Sequence, residues 1–333
     1  MLVNPEGFKA RRVVLLGLGE AAKIDVDTFR RAAGRSSTLG SVGNAATVAF
    51  AVAGREPLAC QGIIEGFLLG GWKHREFKSG EDTGNGVKTK QVVFVTDDKK
   101  QLKPLQKAVE RGQIIAEGQL LVRQLGDTPA NHLTPMLYAK RAQTLARDNG
   151  VDVTVLDEAA IKREKMGALL AVAQGSEQPP RFIVLKHSGG RPSQKPIVLI
   201  GKGVTFDTGG ISLKQAQDMH EMKGDMTGSA IVLATMITAA RLDLPLNLVG
   251  LMPLAENMPS GKATRPGDIV TSRKGKTIEI INTDAEGRLL LADALDYANT
   301  FKPEAVIDIA TLTGATLYIL GYAGAPILGN NDT

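Results

Sequence analysis

Short apolar segments alternate with amphipathic helical patterns along most of the chain, and this alternation constrains the fold more than any other feature. Strands that are separated by helices favour an α/β fold with mainly parallel or mixed sheets flanked by helices. A chain of 333 residues is long enough to form two such domains. The predicted boundary lies in the long helical pattern at 103–125, which gives an N-terminal α/β domain at 1–115 and a second domain at 116–333.

The periodicity of apolar residues, together with Gly and Pro as breakers, predicts the individual elements. The predicted strands are residues 13–18, 91–96, 151–156, 181–187, 196–201, 246–252, 276–281 and 305–309. The predicted helices are residues 58–72, 103–125, 137–148, 158–165, 228–241 and 288–300, with a mixed helical region at 27–54 and a loop at 79–86.

Charge and cysteine content restrict the class of protein. The net charge is +5, and no long basic run is present, which favours a solvated surface over a nucleic-acid interface. Cys60 is the only cysteine, so no disulfide forms within the chain, as is typical of a reducing compartment. No apolar run is long enough to span a membrane, and the segment 13–18 lacks the features of a signal peptide. These features predict a cytoplasmic protein.

Two glycine-rich segments raise the question of nucleotide binding. The first contains Gly17 and Gly19, but Ala22 stands where a dinucleotide fingerprint has its third glycine. A strand followed by a tight turn explains these glycines. The second, residues 201–210, lacks the Gly-Lys-Ser/Thr ending of a phosphate-binding loop.

Acidic residues and lysines are concentrated in two segments that follow predicted strands. Lys202 follows the strand 196–201, while Asp284 and Glu286 follow the strand 276–281. If these strands run parallel in one sheet, both segments open onto the same sheet edge, where ligands bind in α/β proteins. Converging carboxylates repel one another unless cations neutralise them, and their oxygens suit metals such as Mg, Mn and Zn. A pair of such metals can activate a water and polarise a carbonyl. From spacing alone, surface charges on glycine-rich turns remain an equal alternative.

The same two segments resemble the signatures of the leucine aminopeptidase (cytosol aminopeptidase) family. Residues 282–289 read N-T-D-A-E-G-R-L and residues 201–214 read G-K-G-V-T-F-D-T-G-G-I-S-L-K. Supporting similarity lies at residues 219–226, 256–259, 265–268 and 310–315. The resemblance is strong from about residue 126 to residue 315 and weaker before it.

The resemblance implies a role for each matching residue. One metal would be bound by Lys202, Asp207, Asp225 and Glu286, and the other by Asp207, Asp284 and Glu286 with the backbone carbonyl of Asp284. Lys214 would polarise the scissile carbonyl, and Arg288 would hold a bicarbonate ion as general base. The substrate pocket would contain Met222, Thr311, Leu312 and Gly314. A lysine ligates only as the neutral amine, so Lys202 is expected to have a lowered pKa. His220 lies in the motif region but is not expected to be a ligand.

The resemblance also implies a reaction and an assembly. The expected protein is a metal-dependent aminopeptidase that holds two divalent ions, Mn or Zn, in the second domain. It would remove leucine and other apolar N-terminal residues from peptides by attack of a water that bridges the metals. The family forms hexamers of two stacked trimers and usually extends beyond both ends of this chain, so we expect a homo-oligomer and a truncated sequence. The alternatives are a DNA-binding regulator of the same family, which the net charge permits but does not support, and an inactive fragment.

Overall fold

A computed structural model describes residues 2–3, 10–52, 57–79 and 88–331. The chain divides into two compact units, residues 1–124 with 241–243 and residues 125–240 with 244–333. The predicted boundary between residues 115 and 116 lies within a helix and stays a prediction. In the part of the chain that is described, no helix combines the length and apolarity that crossing a membrane requires.

The described residues up to position 127 form four strands and four α-helices. The strands are β1 (Leu2–Val3), β2 (Val13–Val14), β3 (Thr47–Ala51) and β4 (Gln91–Val95). The helices are α1 (Val26–Ser37), α2 (Gly40–Gly43), α3 (Pro57–Gly71) and α4 (Leu102–Asp127). Strands β1 and β2 pair antiparallel, and β3 and β4 pair parallel.

Helices α1 and α3 pack closely because glycine lines their contact. Helix α1 begins at Asp25 with a capping box, in which the Asp25 carboxylate accepts a hydrogen bond of 2.7 Å from the backbone N–H of Thr28. On α3, a Cβ atom added at Gly66 would overlap the carbonyl oxygen of Arg30 on α1. Only glycine therefore permits this separation of the two helix backbones.

The described residues of the second unit form a further eight strands and six α-helices. The strands are β5 (Asp152–Leu156), β6 (Arg181–Ser188), β7 (Ile197–Gly201), β8 (Gly203–Asp207), β9 (Asn247–Asn257), β10 (Ile269–Thr271), β11 (Thr277–Glu279) and β12 (Ala305–Ile309). The helices are α5 (Pro135–Asp148), α6 (Glu158–Arg163), α7 (Gly167–Ala173), α8 (Thr227–Arg241), α9 (Gly287–Ala298) and α10 (Ala315–Leu320).

A six-stranded mixed sheet organises the second unit. Its order is β12-β7-β9-β6-β5, with β8 also paired to β9. Strands β12, β7, β9 and β8 run parallel to one another, whereas β6 is antiparallel to both β9 and β5. The predicted class, mixed sheets flanked by helices, is confirmed.

The core of this unit lies between the sheet and helices α7 and α9. Fully buried side chains include Phe182 on β6 and Leu290 on α9. Asp293 on α9 is also fully buried, and its carboxylate accepts hydrogen bonds from the backbone N–H groups of Leu169 at 2.9 Å and Arg273 at 2.7 Å. Asp293 thereby caps helix α7, whose own N-cap residue supplies no side-chain bond.

Most predicted elements of the second unit are present within a few residues. Several predictions in both units are wrong. The strand predicted at 13–18 is limited to Val13–Val14, and a strand (β3) ends the region predicted as mixed helical at 27–54. Helix α7 and strand β8 were not predicted, because glycine at the start of each reads as a loop. The loop predicted at 79–86 lies, apart from residue 79, outside the described residues.

The strand predicted at 276–281 is the error that matters for the site. It forms only β11, which pairs antiparallel with β10 in a separate two-stranded sheet. Its alternating exposed and half-buried residues are typical of a strand outside the central sheet, where one face is solvated. The two polar segments therefore do not extend from parallel strands of one sheet.

Candidate metal centre

The structure nevertheless brings the five predicted metal ligands together. Lys202 lies between β7 and β8, and Asp207 ends β8. Asp225 follows a 3₁₀ turn at Met219–Gly224 and precedes α8. Asp284 and Glu286 lie in the turn that leads into α9.

One half of the site is an ion cluster around Lys202. The Lys202 Nζ atom lies 2.8 Å from Asp225 Oδ2 and 2.8 Å from Glu286 Oε1, and it donates a hydrogen bond of 2.9 Å to the carbonyl oxygen of Thr311. Lys202, Asp225 and Glu286 are all buried. Gly287 leaves room for this lysine, because an added Cβ there would come within 2.8 Å of Lys202 Cε.

The other half is centred on Lys214. Its Nζ atom lies 2.8 Å from Asp207 Oδ2 and forms a second ion pair with Asp284 Oδ1. One carboxylate oxygen from each of Asp207, Asp284 and Glu286 lies within 4.8 Å of the others. Glu286 therefore links the two halves of the cluster.

Burial determines the electrostatics of the carboxylates. It raises the pKa of Asp225 to about 7 and also raises the pKa of Glu286, because both charged forms lose hydration. Burial lowers the pKa of Lys202, but the charges of Asp225 and Glu286 outweigh it and leave that pKa above its ordinary value. This ammonium group compensates the two carboxylates; the expected lowering of its pKa depends on a cation beside Lys202 and stays a prediction. The pKa of Lys214 is raised by Asp207 and Asp284 against the same effect of burial.

The carboxylates have more acceptor capacity than the surrounding donors satisfy. Within the described residues, no hydrogen-bond donor reaches the buried Glu286 Oε2 atom. Asp225 Oδ2 and Asp284 Oδ1 are each contacted by a lysine ammonium group, of Lys202 and Lys214 respectively. Buried carboxylate oxygens are normally hydrogen-bonded or bound to metal. These three oxygens and the neighbouring carboxylates thus fit divalent cations, which prefer such ligands.

Three residues that hold the ligands in place were not predicted for this role. Asn257, at the end of β9, donates hydrogen bonds to Asp207 Oδ1 and to the carbonyl oxygen of Thr283. Thr283 donates a hydrogen bond of 2.6 Å to the carbonyl oxygen of Gly209. Thr311 donates one of 2.7 Å to Asp225 Oδ1. All three lie inside segments that resemble the family, but sequence does not reveal which atoms a buried amide or hydroxyl bonds.

The remaining predicted residues lie around this cluster. Met222 is half-buried in the 3₁₀ turn before Asp225, and Thr311, Leu312 and Gly314 lie between β12 and α10. Arg288 is exposed in the first turn of α9. His220 is exposed, and the group of possible metal ligands, which is Asp207, Asp284 and Glu286, does not include it.

Comparison with known proteins identifies relatives along the whole chain. Residues 120–333 match the catalytic domain of the cytosol aminopeptidase family, and residues 1–81 match the N-terminal domain of that family. A probable cytosol aminopeptidase of Syntrophotalea carbinolica is 45% identical over 98% of this chain and 67% of its own length. The cytosol aminopeptidase of Pseudomonas aeruginosa strain PAO1 is 46% identical over 100% of this chain and 68% of its own length. The chain thus spans about two thirds of these relatives.

A solved structure shows the same fold. The bottromycin maturation enzyme BotP in complex with Mn superimposes with a TM-score of 0.85 at 37% identity, over 96% of this chain and 68% of that protein.

Proposed function

The chain belongs to the cytosol aminopeptidase family of metal-dependent aminopeptidases, and from this premise we propose that its five clustered side chains hold two divalent ions for the hydrolysis of N-terminal residues. The observation that carries the proposal is the buried Glu286, whose Oε2 atom has no hydrogen-bond donor among the described residues. Manganese is the first candidate, since the structurally similar BotP binds Mn, and zinc is the alternative.

The proposed ligand sets follow the two halves of the cluster. Lys202, Asp207, Asp225 and Glu286 would hold one ion, and Asp207, Asp284 and Glu286 the other. When bound, the ions supply an activated water and polarise the scissile carbonyl. Lys202 ligates only after it loses its proton, so metal binding at this site competes with a proton on Lys202.

Lys214 is proposed to act on the substrate carbonyl. Asp207 and Asp284 keep its pKa raised, so its side chain carries a positive charge at neutral pH. A fixed ammonium group at the centre stabilises negative charge as it develops on a carbonyl oxygen. Lys214 is partly exposed, with 24% of its side chain accessible, so a substrate can reach it.

The outer residues complete the proposal. Arg288 is exposed two positions after the ligand Glu286, where its guanidinium group can hold a bicarbonate ion. The pocket for leucine and other apolar N-terminal side chains would be formed by Met222, Thr311, Leu312 and Gly314. We further propose a cytoplasmic location and a homohexamer, on the basis of the family and the names of the relatives.

Hydrolysis of a chromogenic leucine amide tests the proposal. The protein should lose activity after thorough chelation and regain it when Mn²⁺ is added, while Asp284→Ala should remain inactive with excess Mn²⁺. Wild-type protein that binds Mn²⁺ but hydrolyses no amino-terminal amide would identify an inactive relative. Full activity of Asp284→Ala after chelation would overturn the metal assignment.

A further inference from the structure

Asn257 occupies a position between the two segments that carry the proposed ligands. It is the last residue of β9 and is 4% exposed. Its side chain contacts both the segment at residues 207–214 and the turn at 282–286. The two segments share no β-ladder, so side chains supply the connection. The Thr283 hydroxyl group bonds the backbone of Gly209 and Ser212 directly, and Asn257 bonds both segments from the end of β9.

The amide group of Asn257 makes that connection directly. Its Nδ2 atom donates a hydrogen bond of 2.8 Å to Asp207 Oδ1 and a second of 3.0 Å to the carbonyl oxygen of Thr283. Both partners are acceptors only, so the NH₂ end of the amide must face them. The two N–H groups of one side chain are thus divided between the two segments.

These bonds determine which atoms are left for a metal. Asp207 Oδ1 also accepts a hydrogen bond of 2.9 Å from the backbone N–H of Gly209, so two donors hold that oxygen. Asp207 Oδ2 is left to face Lys214. The bond to Thr283 fixes the peptide unit that precedes Asp284.

The backbone of Asn257 is held as firmly as its side chain. Its carbonyl oxygen accepts hydrogen bonds from the hydroxyl group of Thr208 at 2.8 Å and from the backbone N–H of Thr208 at 3.0 Å. The Asn257 Oδ1 atom lies where a Cβ on Gly210 would approach within 2.8 Å, so glycine at 210 leaves space for the amide.

We propose that Asn257 is a positioning residue of the metal centre, which joins the Asp207 and Asp284 segments so that their carboxylates bind the metals together. The proposal rests on the proposed function but concerns metal affinity and not substrate. Partners that orient metal ligands typically contribute about 10- to 100-fold to metal affinity. Loss of the amide donors should weaken Mn²⁺ binding by that factor.

Asn247 provides a matched control at the opposite end of the same strand. Its Nδ2 atom donates hydrogen bonds of 2.8 and 2.9 Å to the carbonyl oxygens of Arg191 and Gln194. The change Asn247→Leu removes these two donor bonds, and the bond of 3.1 Å that the Gly190 backbone N–H donates to Asn247 Oδ1, without touching either ligand segment. Its Mn²⁺ affinity should equal that of the wild type.

The experiment is Mn²⁺ titration of the metal-free full chain, with competition against a chelating dye. Asn257→Leu removes both donors at similar volume, and Asn257→Ala serves if the leucine variant does not fold. An increase in Kd of about 10- to 100-fold at Asn257, with no change for Asn247→Leu, supports the proposal. The proposal is overturned if a folded Asn257 variant binds Mn²⁺ with wild-type affinity, or if Asn247→Leu loses as much Mn²⁺ affinity. It is also overturned if neither Asn257 variant folds. If wild-type protein binds no Mn²⁺, the proposed function falls as well.

Discussion

Two buried glutamates, one in each unit, differ in how completely neighbouring groups satisfy their carboxylate oxygens. Glu65 on α3 and Glu286 before α9 are each 2% exposed. Arg30 and Gln61 satisfy both carboxylate oxygens of Glu65, through bonds of 2.7 and 2.8 Å. Glu286 receives Lys202 on one oxygen and, from the described residues, no hydrogen bond on the other. Burial with complete hydrogen bonding indicates a structural pair, whereas burial with an oxygen left over indicates a binding site.

The change Glu286→Gln should have the largest effect on activity. It removes a ligand that both proposed metal sites share, so the rate of leucine-amide hydrolysis should fall by more than about 100-fold, beyond the loss typical of indirect partners. The chelated protein should remain folded, because Lys202 keeps Asp225 as an ion-pair partner at 2.8 Å and the charge that is lost is one that burial disfavours. Activity assays and thermal melts of chelated protein measure both effects.

The matching change Glu65→Gln should instead lower stability and leave metal binding unchanged. It leaves the Arg30 guanidinium without its buried partner, and breaking such a pair costs about 3 kcal/mol, at the low end because 32% of the Arg30 side chain is accessible. Mn²⁺ affinity per folded chain should stay at the wild-type value. Denaturant unfolding and Mn²⁺ titration check this, and a large loss of affinity without a loss of stability would refute the comparison.

The buried Asp225 should make the stability of the protein depend on pH in a way that an exposed, ion-paired carboxylate does not. Burial raises the pKa of Asp225 to about 7 in the metal-free protein. A carboxyl group with a raised pKa contributes stability that is complete below its unfolded pKa and is lost as pH rises through about 7. Asp225→Asn removes this titration, so its free energy of unfolding relative to wild type should rise by roughly 2–3 kcal/mol from about pH 5 to about pH 8.

Asp268→Asn is the control for this measurement. A hydrogen bond from Arg265 lowers the pKa of Asp268, so its stabilising effect is lost at low pH instead. The free energy of unfolding of Asp268→Asn, relative to wild type, should therefore not increase from about pH 5 to about pH 8. An equal gain in both variants would show that net charge, and not burial of Asp225, causes the effect.

The smallest of these effects concerns the close contact between α1 and α3. Gly66→Ala places a methyl group against the carbonyl oxygen of Arg30, and the resulting shift of the helices should cost about 1–3 kcal/mol. Gly40→Ala is the control, since its added Cβ meets only Asn44 Nδ2 at 3.9 Å. Equal stability of the two variants would show that the helices separate without strain.

Sequence predicted the general fold because apolar periodicity directly reflects burial. It located β6, β7 and β12 within a few residues, since their runs of branched apolar residues have no helical period. It failed at β8, whose glycine start reads as a loop. It also failed at β11, because the apolar pattern of a segment does not reveal that it pairs with the adjacent strand β10 and not with the central sheet.

Sequence also named the residues of the site but not the way they meet. Lys202 and Asp284 were assigned through resemblance to known motifs, while the geometric argument from two parallel strands was wrong. The connection instead depends on hydrogen bonds of Asn257 and Thr283 over long sequence separations. A single sequence contains no signal for such pairings, because a buried amide and a surface amide are written with the same letter.

The most direct test of the account is a crystal structure of Mn²⁺-loaded protein with anomalous diffraction measured at the manganese edge. Two anomalous peaks are expected, one contacted by Lys202, Asp225 and Glu286 and one by Asp284 and Glu286, with Asp207 between them. Peaks elsewhere in the molecule, or none at these side chains in protein that hydrolyses leucine amide, would contradict it.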